Sequence, residues 1–276
     1  MKHVIALLYV LFALASSAQA QRNEILAPNI ASLQVIANND WMSLPVITLD
    51  NGEYVTIGFD ELSHVVHRYC YKIEHCEADW TTAEELFESD FVNGFATGNT
   101  SDDAEQSINT NTLYTHYAFT LPNDKCAPRL SGNYCVTVYD ENNDSQPVLT
   151  ACFMIVEPGM KVGLSVTSNT DIDINHSHQQ VSMSVDYGGL RVTDPATQIR
   201  TVILQNERWD NAVVNAKPQY VRSDGLMWDH NRDLIFPAGN EYRKFEMLDV
   251  THTTMGLESI KWDGQQYHAW VWPDEP

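Results

Sequence analysis

Clusters of histidine, cysteine and aspartate are the places in this sequence where residue types alone suggest chemistry. His75, Cys76 and Asp79 form the first cluster. Imidazole, thiolate and carboxylate groups bind zinc and also transfer protons in enzymes. Their spacing is not that of two ligands one turn apart on a helix, and they lie at the end of a strand-like run. A structural role is therefore favoured over a metal or catalytic site.

Two further acidic groups have the oxygen ligands that cations prefer. The run Asp140–Asp144 could bind calcium, but it lacks the spaced ligand pattern of a calcium loop and is typical of a hairpin loop. Asp171, Asp173, His176 and His178 make the second group. No further ligand pattern accompanies them, so loop and strand-edge roles are favoured.

Sequence motifs of the common catalytic and nucleotide-binding sites are absent from all 276 residues. There is no serine nucleophile elbow, no phosphate-binding loop and no dinucleotide fingerprint. No C-x-x-C spacing suggests zinc or redox chemistry. No nucleophile–base arrangement is found, no metal or cofactor is assigned, and no small-molecule substrate is expected.

The five cysteines could form disulfides if the protein is exported, with at least one thiol left over. Cys70 and Cys76 lie about 20 Å apart on one predicted strand, which is beyond disulfide reach. Cys135 and Cys152 lie inside apolar strands and are interpreted as small buried hydrophobic residues. Cys76 and Cys126 both lie at strand ends and are the favoured pair.

The elements that must position these residues are strands in the middle of the chain. One face of the run 68–76 carries Tyr69, Tyr71, Ile73 and His75, and the other carries Arg68, Cys70, Lys72, Glu74 and Cys76. That period of two predicts a strand with unlike faces. A second strand ends at Pro122, and a third follows a Ser-Gly-Asn turn and begins at Tyr134. A turn followed by Tyr-x-Val-x-Val is typical of the penultimate strand of immunoglobulin-like sandwiches, where the tyrosine anchors a corner.

The remaining elements of the first half are shorter. Strands are predicted at 33–36, 45–49, 54–59 and 149–156, with Asp50-Asn51-Gly52 as a hairpin turn between the second and third of these. Thr81 and Glu84 fit a capping box, which predicts a helical turn over 82–88. The polar composition of 94–111 predicts a loop, and Glu157-Pro158-Gly159 predicts a domain boundary.

The second half has the same strand character without an internal repeat. Strands are predicted at 162–166, 181–187, 199–205 and 244–250, with a hairpin around 262–265 whose second arm is 267–272. The predicted fold class is thus all-β: an immunoglobulin-like β-sandwich over residues 21–157, followed by a second β domain over 158–276. Nothing marks an ending at Pro276, so we expect the second domain to lack a final portion.

The N-terminus and the charge indicate where the chain works. Lys2, the apolar run 4–15 and Ala18-Gln19-Ala20 predict a secretory signal peptide over residues 1–20.

The chain has 16 basic and 37 acidic residues, a net charge of −21. Phosphate backbones and anionic membrane surfaces repel such a chain, which excludes nucleic acid as a favoured partner. A soluble exported protein is expected.

Several longer segments together resemble one protein family. They read YKIEHCEADW at 71–80, ESDFVNGF at 88–95, NTLYTHY at 111–117, LPN at 121–123 and SGNY at 131–134. Others are NIASL at 29–33, FDELSH at 59–64, SHQQV at 177–181, GGL at 188–190, AGNEY at 238–242 and HTTMG at 252–256. In amino-acid sequence and in order along the chain, these motifs resemble those of the type IX secretion system plug protein family of Bacteroidota.

The resemblance implies a non-enzymatic role. Members of that family are periplasmic proteins at the inner face of the outer membrane. They close the periplasmic mouth of a large outer-membrane translocon barrel, which would be the partner here. The resemblance carries over no catalytic residue. Family members extend past the position of Pro276, which agrees with the expectation of a missing final portion.

A second function stays open from the residues alone. Exported β-sandwiches often bind glycans on aromatic platforms, and the sequence has seven tryptophans. Those considered for such a platform are Trp209, Trp228, Trp262, Trp270 and Trp272. An exported glycan-binding module is therefore the alternative to a translocon plug.

Overall fold

The computed structural model describes residues 22–101, 103–239 and 244–273. The predicted signal peptide lies outside the described residues. The chain divides into two compact units, the first ending at Pro158 and the second beginning at Gly159. Among the described residues, no helix has both the length and the apolar character needed to cross a membrane.

The first unit is built almost entirely from strands. They are β1 Glu24–Ile25, β2 Ile30–Ala37, β3 Val46–Thr48, β4 Val55–Glu61, β5 Tyr69–Cys76, β6 Val92–Gly94, β7 Asn99–Ser101, β8 Asp103–Gln106, β9 Thr115–Leu121, β10 Cys126–Pro128, β11 Gly132–Asp140 and β12 Asn143–Val156. A short helix covers Glu88–Phe91. One sheet has the order β1-β12-β11-β5-β7 with β3 alongside β12, the other has the order β2-β4-β9-β8, and β6 pairs with β10.

The two sheets of the first unit pack face to face around one hydrophobic core. Tyr71 on one sheet stacks on Phe119 of the other with ring centroids 4.3 Å apart. Phe59 meets Tyr69 edge to face at 5.2 Å. Residues of β4, β5, β9, β11 and β12 contribute to the same cluster of buried side chains. The predicted all-β sandwich is confirmed, and so is the predicted face of β5, because Tyr69, Tyr71 and Ile73 are buried.

Tyr134 anchors a corner of the sandwich, as the sequence pattern predicts. It begins the apolar face of β11, its ring is fully buried, and its hydroxyl donates to the carbonyl oxygen of Leu130 at 2.8 Å. A tyrosine hydroxyl bonded to backbone a few residues upstream is the corner of immunoglobulin-like domains. The bond fixes the chain where it enters β11, the central strand of its sheet.

The second unit is also a β structure. Its strands are β13 Lys161–Thr167, β14 His178–Asp186, β15 Val202–Gln205, β16 Arg208–Val214, β17 Tyr220–Val221, β18 Gly225–Trp228, β19 Ile235–Pro237, β20 Leu257–Trp262 and β21 Tyr267–Val271. A helix covers Pro195–Gln198 and a 3-10 turn covers Arg232–Leu234. One sheet has the order β13-β14-β18-β17 with β19 beside β14, while β15–β16 and β20–β21 are hairpins. Trp228 lies at the centre of a separate core, and its indole donates to the carbonyl of Ala216 at 2.7 Å.

Four local predictions are wrong, each because tertiary pairing decided the outcome. β3 pairs in parallel with β12 while β4 pairs with β2 and β9, so the turn at Asp50-Asn51-Gly52 crosses between sheets and does not close a hairpin. Instead of a helical turn over 82–88, Thr82 bridges to Cys76 and the helix begins at Glu88. The predicted loop 94–111 contains β7 and β8, which pair with β5 and β9 and form one edge of each sheet. Residues 244–250 form no strand.

Replacing Tyr134 with phenylalanine should destabilise the first unit by about 1–2 kcal/mol, because the buried carbonyl of Leu130 loses its donor. The measurement is chemical denaturation followed by near-UV circular dichroism. Tyr54→Phe is the matched control, since the Tyr54 hydroxyl makes no hydrogen bond among the described residues. Equal stability of Tyr134→Phe and the control would show that the corner bond contributes nothing.

Candidate functional site

Two loops leave the first unit at the same end of the sandwich. Residues 62–68 follow β4 and lead into β5, and residues 107–114 connect β8 to β9. The register places them together, because Thr115 lies opposite Glu61 on one side and opposite Gln106 on the other. We call residues 62–68 and 107–114 the loop pair.

Hydrogen bonds hold the two loops against each other and against the sheet. Gln106 donates its side-chain amide to the carbonyl of His64 at 2.5 Å. The His64 ring Nε2 lies 2.9 Å from the Ser107 hydroxyl. Thr115 donates its hydroxyl to the carbonyl of Ser63 at 2.7 Å. The loop pair is therefore one connected surface on a rigid base.

A buried carboxylate fixes the base of the loop pair. Glu61 is only 2% exposed, and its Oε1 lies 2.7 Å from Nδ1 of His67. The Tyr117 hydroxyl lies 3.4 Å from the other carboxylate oxygen and also accepts the His67 backbone amide at 2.9 Å. Burial, with the Glu61 charge adding to it, raises the pKa of the Tyr69 hydroxyl, and burial is also the largest cause of the raised pKa of Tyr117. Both hydroxyls thus keep their protons beside the carboxylate.

The loop pair exposes several large apolar side chains. Their exposed fractions are Leu62 47%, Val65 62%, Val66 55%, Ile108 82% and Leu113 53%. Single exposed hydrophobic residues are ordinary, but several on two connected loops mark a surface suited to a protein partner. No pattern in the sequence marked these side chains as a surface. The available signal was the presence of Leu62, Val65 and Val66 in an otherwise polar connection.

In the cluster of His75, Cys76 and Asp79, the histidine and the aspartate each contact nearby backbone. The His75 ring lies on the core side, 5.1 Å from the Tyr134 ring, and its Nε2 lies 3.0 Å from the carbonyl of Ser131. A Cβ at Gly132 would lie 2.3 Å from that nitrogen, so the glycine makes room for the histidine. Asp79 Oδ1 accepts the backbone amide of Thr81 at 3.1 Å and closes a turn.

The other acidic groups make turn and ion-pair contacts. Asp140 ends β11 and accepts the backbone amide of Asn142 at 2.8 Å in a hairpin loop. Asp173 pairs with His178 at 2.7 Å, which lowers the pKa of Asp173 to about 2. Asp171 pairs separately with His230 at 2.7 Å. Within the described part of the chain, no group of three histidine, cysteine or acidic residues is arranged to hold a metal ion.

The structure does not join Cys76 to Cys126. All five cysteines are present as thiols. Cys126 belongs to the buried core of the first unit, whereas Cys76 lies on the other face of β5, opposite Asn133 of β11. The sequence indicated that both lie at strand ends but not which face of the sheet each occupies. Burial raises the pKa of each of these two thiols to about 12.

The tryptophans do not form one platform. Trp228 is buried in the core of the second unit and Trp209 is half-buried. Trp262 lies opposite Tyr267 in the β20–β21 hairpin, and the register puts Trp270 on the opposite face of that hairpin, beside His268. Trp270 and Trp272 are exposed and two positions apart. These two are the neighbouring exposed tryptophans that a glycan site could use.

The second unit contains a cavity of about 740 Å³ between the helix Pro195–Gln198 and Trp228. Its lining is mainly apolar, with Arg200 and Lys217 as the cations. Asp194 also lines it, but its carboxylate caps the helix by accepting the backbone amide of Ala196 at 3.2 Å. The cavity has the size of a ligand site without a nucleophile or general base.

The fold and the loop pair define a class of protein: a β-sandwich module that offers a rigid apolar surface and no assembled catalytic group among its described residues. Residues 30–157 match the family model described as the type 9 secretion system plug protein first domain. Residues 30–157 therefore belong to the first domain of the type IX secretion system plug proteins, and this domain carries the whole loop pair.

A solved structure is similar over most of the chain. It is the crystal structure of a hypothetical protein from Parabacteroides merdae ATCC 43184, with 38% sequence identity and a TM-score of 0.83. The alignment covers 91% of this chain and 63% of that one, so the present chain spans less than two thirds of that protein's length. No curated protein sequence matches the chain.

Replacing Glu61 with alanine should loosen the loop pair and destabilise the first unit by about 1–3 kcal/mol, because His67 and Tyr117 lose their buried acceptor. Limited trypsin digestion should then cut faster after Arg68, which ends the first loop. Glu105→Ala, an exposed position on β8, is the control. Unchanged cleavage at Arg68 in Glu61→Ala would contradict the assigned role of the carboxylate.

Proposed function

We propose that this protein is a periplasmic plug subunit that occludes the outer-membrane translocon of the type IX secretion system. The observation that carries the proposal is the match of residues 30–157 to the first domain of the plug family. The rigid sandwich supports it, because a plug must fill an opening by shape and must leave without breaking a covalent bond. The proposed role requires no catalytic step, so we propose that the protein is not an enzyme and uses no cofactor.

The loop pair is the surface that we propose to contact the translocon barrel. Loops on a rigid sandwich commonly carry binding, and these loops are fixed to the sheet by the Glu61 network. Five exposed apolar side chains supply anchors but too little area for an obligate interface. A contact of this size suits a plug that must bind the translocon and dissociate from it.

The location follows from the same proposal. The predicted signal peptide at residues 1–20 would deliver the protein to the periplasm, and the partner would hold it at the inner face of the outer membrane. The net charge of −21 favours a protein partner over an anionic lipid surface.

The first experiment is affinity purification of the tagged, full-length protein from detergent extracts in the absence of secreted substrate. A large outer-membrane barrel should co-purify, and deletion of the gene should raise outer-membrane permeability to a small fluorescent probe. Recovery of the tagged protein alone, with unchanged permeability in the deletion strain, would count against a plug.

The second experiment tests the surface. A double variant, Val65→Asp with Ile108→Asp, should lower the recovered barrel at least about tenfold, because each carboxylate loses hydration in an apolar contact. Its unfolding midpoint should stay close to that of the unaltered protein, since both side chains are exposed. Ile174→Asp, an exposed apolar position in the second unit, should have no effect. Equal recovery with the double variant would exclude the loop pair as the contact.

The glycan alternative predicts a different result. Polysaccharide binding would depend on Trp270 and Trp272, and the variant Trp270→Ala with Trp272→Ala would abolish it without unfolding the protein. Isothermal calorimetry with soluble polysaccharides tests this. A plug should bind no polysaccharide in either form.

A further inference from the structure

Cys135 and Cys152 lie directly opposite each other on neighbouring strands. Strands β11 and β12 are antiparallel, and their register pairs these two cysteines, with Tyr134 opposite Phe153 and Val136 opposite Ala151 on either side. Side chains of directly opposed residues lie on the same face of a sheet. The two thiols therefore point to the same side.

The backbone hydrogen bonds show which kind of pair this is. The amide of Cys152 points away from β11 and donates to the side chain of Asn23 at 2.7 Å. The amide of Met154, two positions on, also points away and donates to the carbonyl of Pro45 at 2.9 Å. Cys135 and Cys152 are thus a non-hydrogen-bonded pair, whose Cα atoms lie about 4.5 Å apart in antiparallel sheets. That separation lies inside the range of disulfides, about 4.4–6.8 Å.

The pair lies on the face of the sheet away from the core of the first unit. Tyr134, Val136 and Phe153 belong to that core, whereas Cys135 and Cys152 do not. Glu74 lies opposite Cys135 on its other side, and Lys72 pairs with Glu74 at 3.0 Å. On a face that carries such polar side chains, two small thiols are not explained by packing into the core.

The two thiols interact with each other. The hydrogen bond between the Cys135 and Cys152 side chains is the largest cause of the raised pKa of Cys135, and burial is the next. Cys135 is 2% exposed and Cys152 is 7% exposed. The Cys135 thiolate is therefore scarce in the folded protein, so attack by this residue on an external disulfide should be slow in the folded form.

We propose that Cys135 and Cys152 form a disulfide that closes the β11–β12 hairpin when the chain folds in the presence of a low-molecular-weight disulfide. One cysteine, as thiolate, attacks the external disulfide and releases one reduced thiol. The second cysteine then attacks the mixed disulfide and releases the other. The two cysteines lose two protons and two electrons, and the external disulfide gains them as two thiols. The proposal does not depend on the plug function.

The competing pairs have poorer geometry. Cys76 is a diagonal neighbour of Cys135, because its direct partner on β11 is Asn133. Diagonal neighbours are about 7–8 Å apart, beyond the usual disulfide range. Cys126 lies within the core on the other face of the sheet. Cys70 lies opposite Tyr139, four positions along β11 from Cys135.

Peptide mapping distinguishes the pairs. The denatured, reduced full chain is refolded with oxidised glutathione, remaining thiols are alkylated at low pH, and the protein is digested with trypsin. Cys135 and Cys152 fall in one tryptic peptide, 130–161, whereas Cys76 falls in 73–125 and Cys126 in 126–129. The expected product is peptide 130–161 without alkylation and lighter by two hydrogen atoms. Further cleavage after Glu141 should leave two pieces that separate only on reduction.

Matched variants complete the test. Cys70→Ser should keep the lighter peptide 130–161, and Cys152→Ser should abolish it. Reductant should lower the melting temperature of the refolded, oxidised protein by several degrees, as expected for a loop of about 15 residues in a protein of this size, and should leave Cys152→Ser unchanged. Alkylation at both Cys135 and Cys152 after oxidative refolding would overturn the proposal, as would a linkage of either residue to Cys76.

Discussion

The contact between the two sheets at Phe59, Tyr69 and Tyr117 is the interaction on which the rest of the first unit depends. Phe59 stacks on Tyr117 with ring centroids 5.3 Å apart, and both meet Tyr69 edge to face. These rings join β4 and β9 of one sheet to β5 of the other. The position of the Tyr117 ring also places its hydroxyl beside the buried Glu61. The aromatic cluster that joins the two sheets therefore also determines where the loop pair begins.

This coupling of core to loops suits an occluding protein. A carboxylate with 2% exposure is costly unless its acceptors are used, and here His67, Asn29 and Tyr117 surround it. The loops above it are therefore held by the fold, although their own tips are apolar and exposed. A surface that is already ordered loses little entropy on binding, so a contact of small area can still form.

The sequence predicted correctly which side chains of a strand face the core. It predicted poorly which strands pair with each other. The alternation from Tyr69 to Cys76 predicted both faces of β5, and the pattern after Ser131 predicted the Tyr134 corner. By contrast, the turn at Asp50-Asn51-Gly52 suggested a hairpin that the structure divides between two sheets. The polar stretch around Asn99 suggested a loop, yet β5 supplies it with hydrogen-bonding partners and makes it the edge strand β7.

The sequence by itself determined the all-β class, the inward face of the central strands, the corner tyrosine and the family resemblance. Each of these depends on a local feature of the chain: the period of the side chains, the turn residues or a short motif. Tertiary structure alone decided the register between paired strands, since the sequence of one strand does not specify which strand it pairs with. That register brings 62–68 beside 107–114 across more than forty residues and places Cys135 opposite Cys152. It also leaves Cys76 on the outer face of β5, whereas Cys126 of β10 lies in the core.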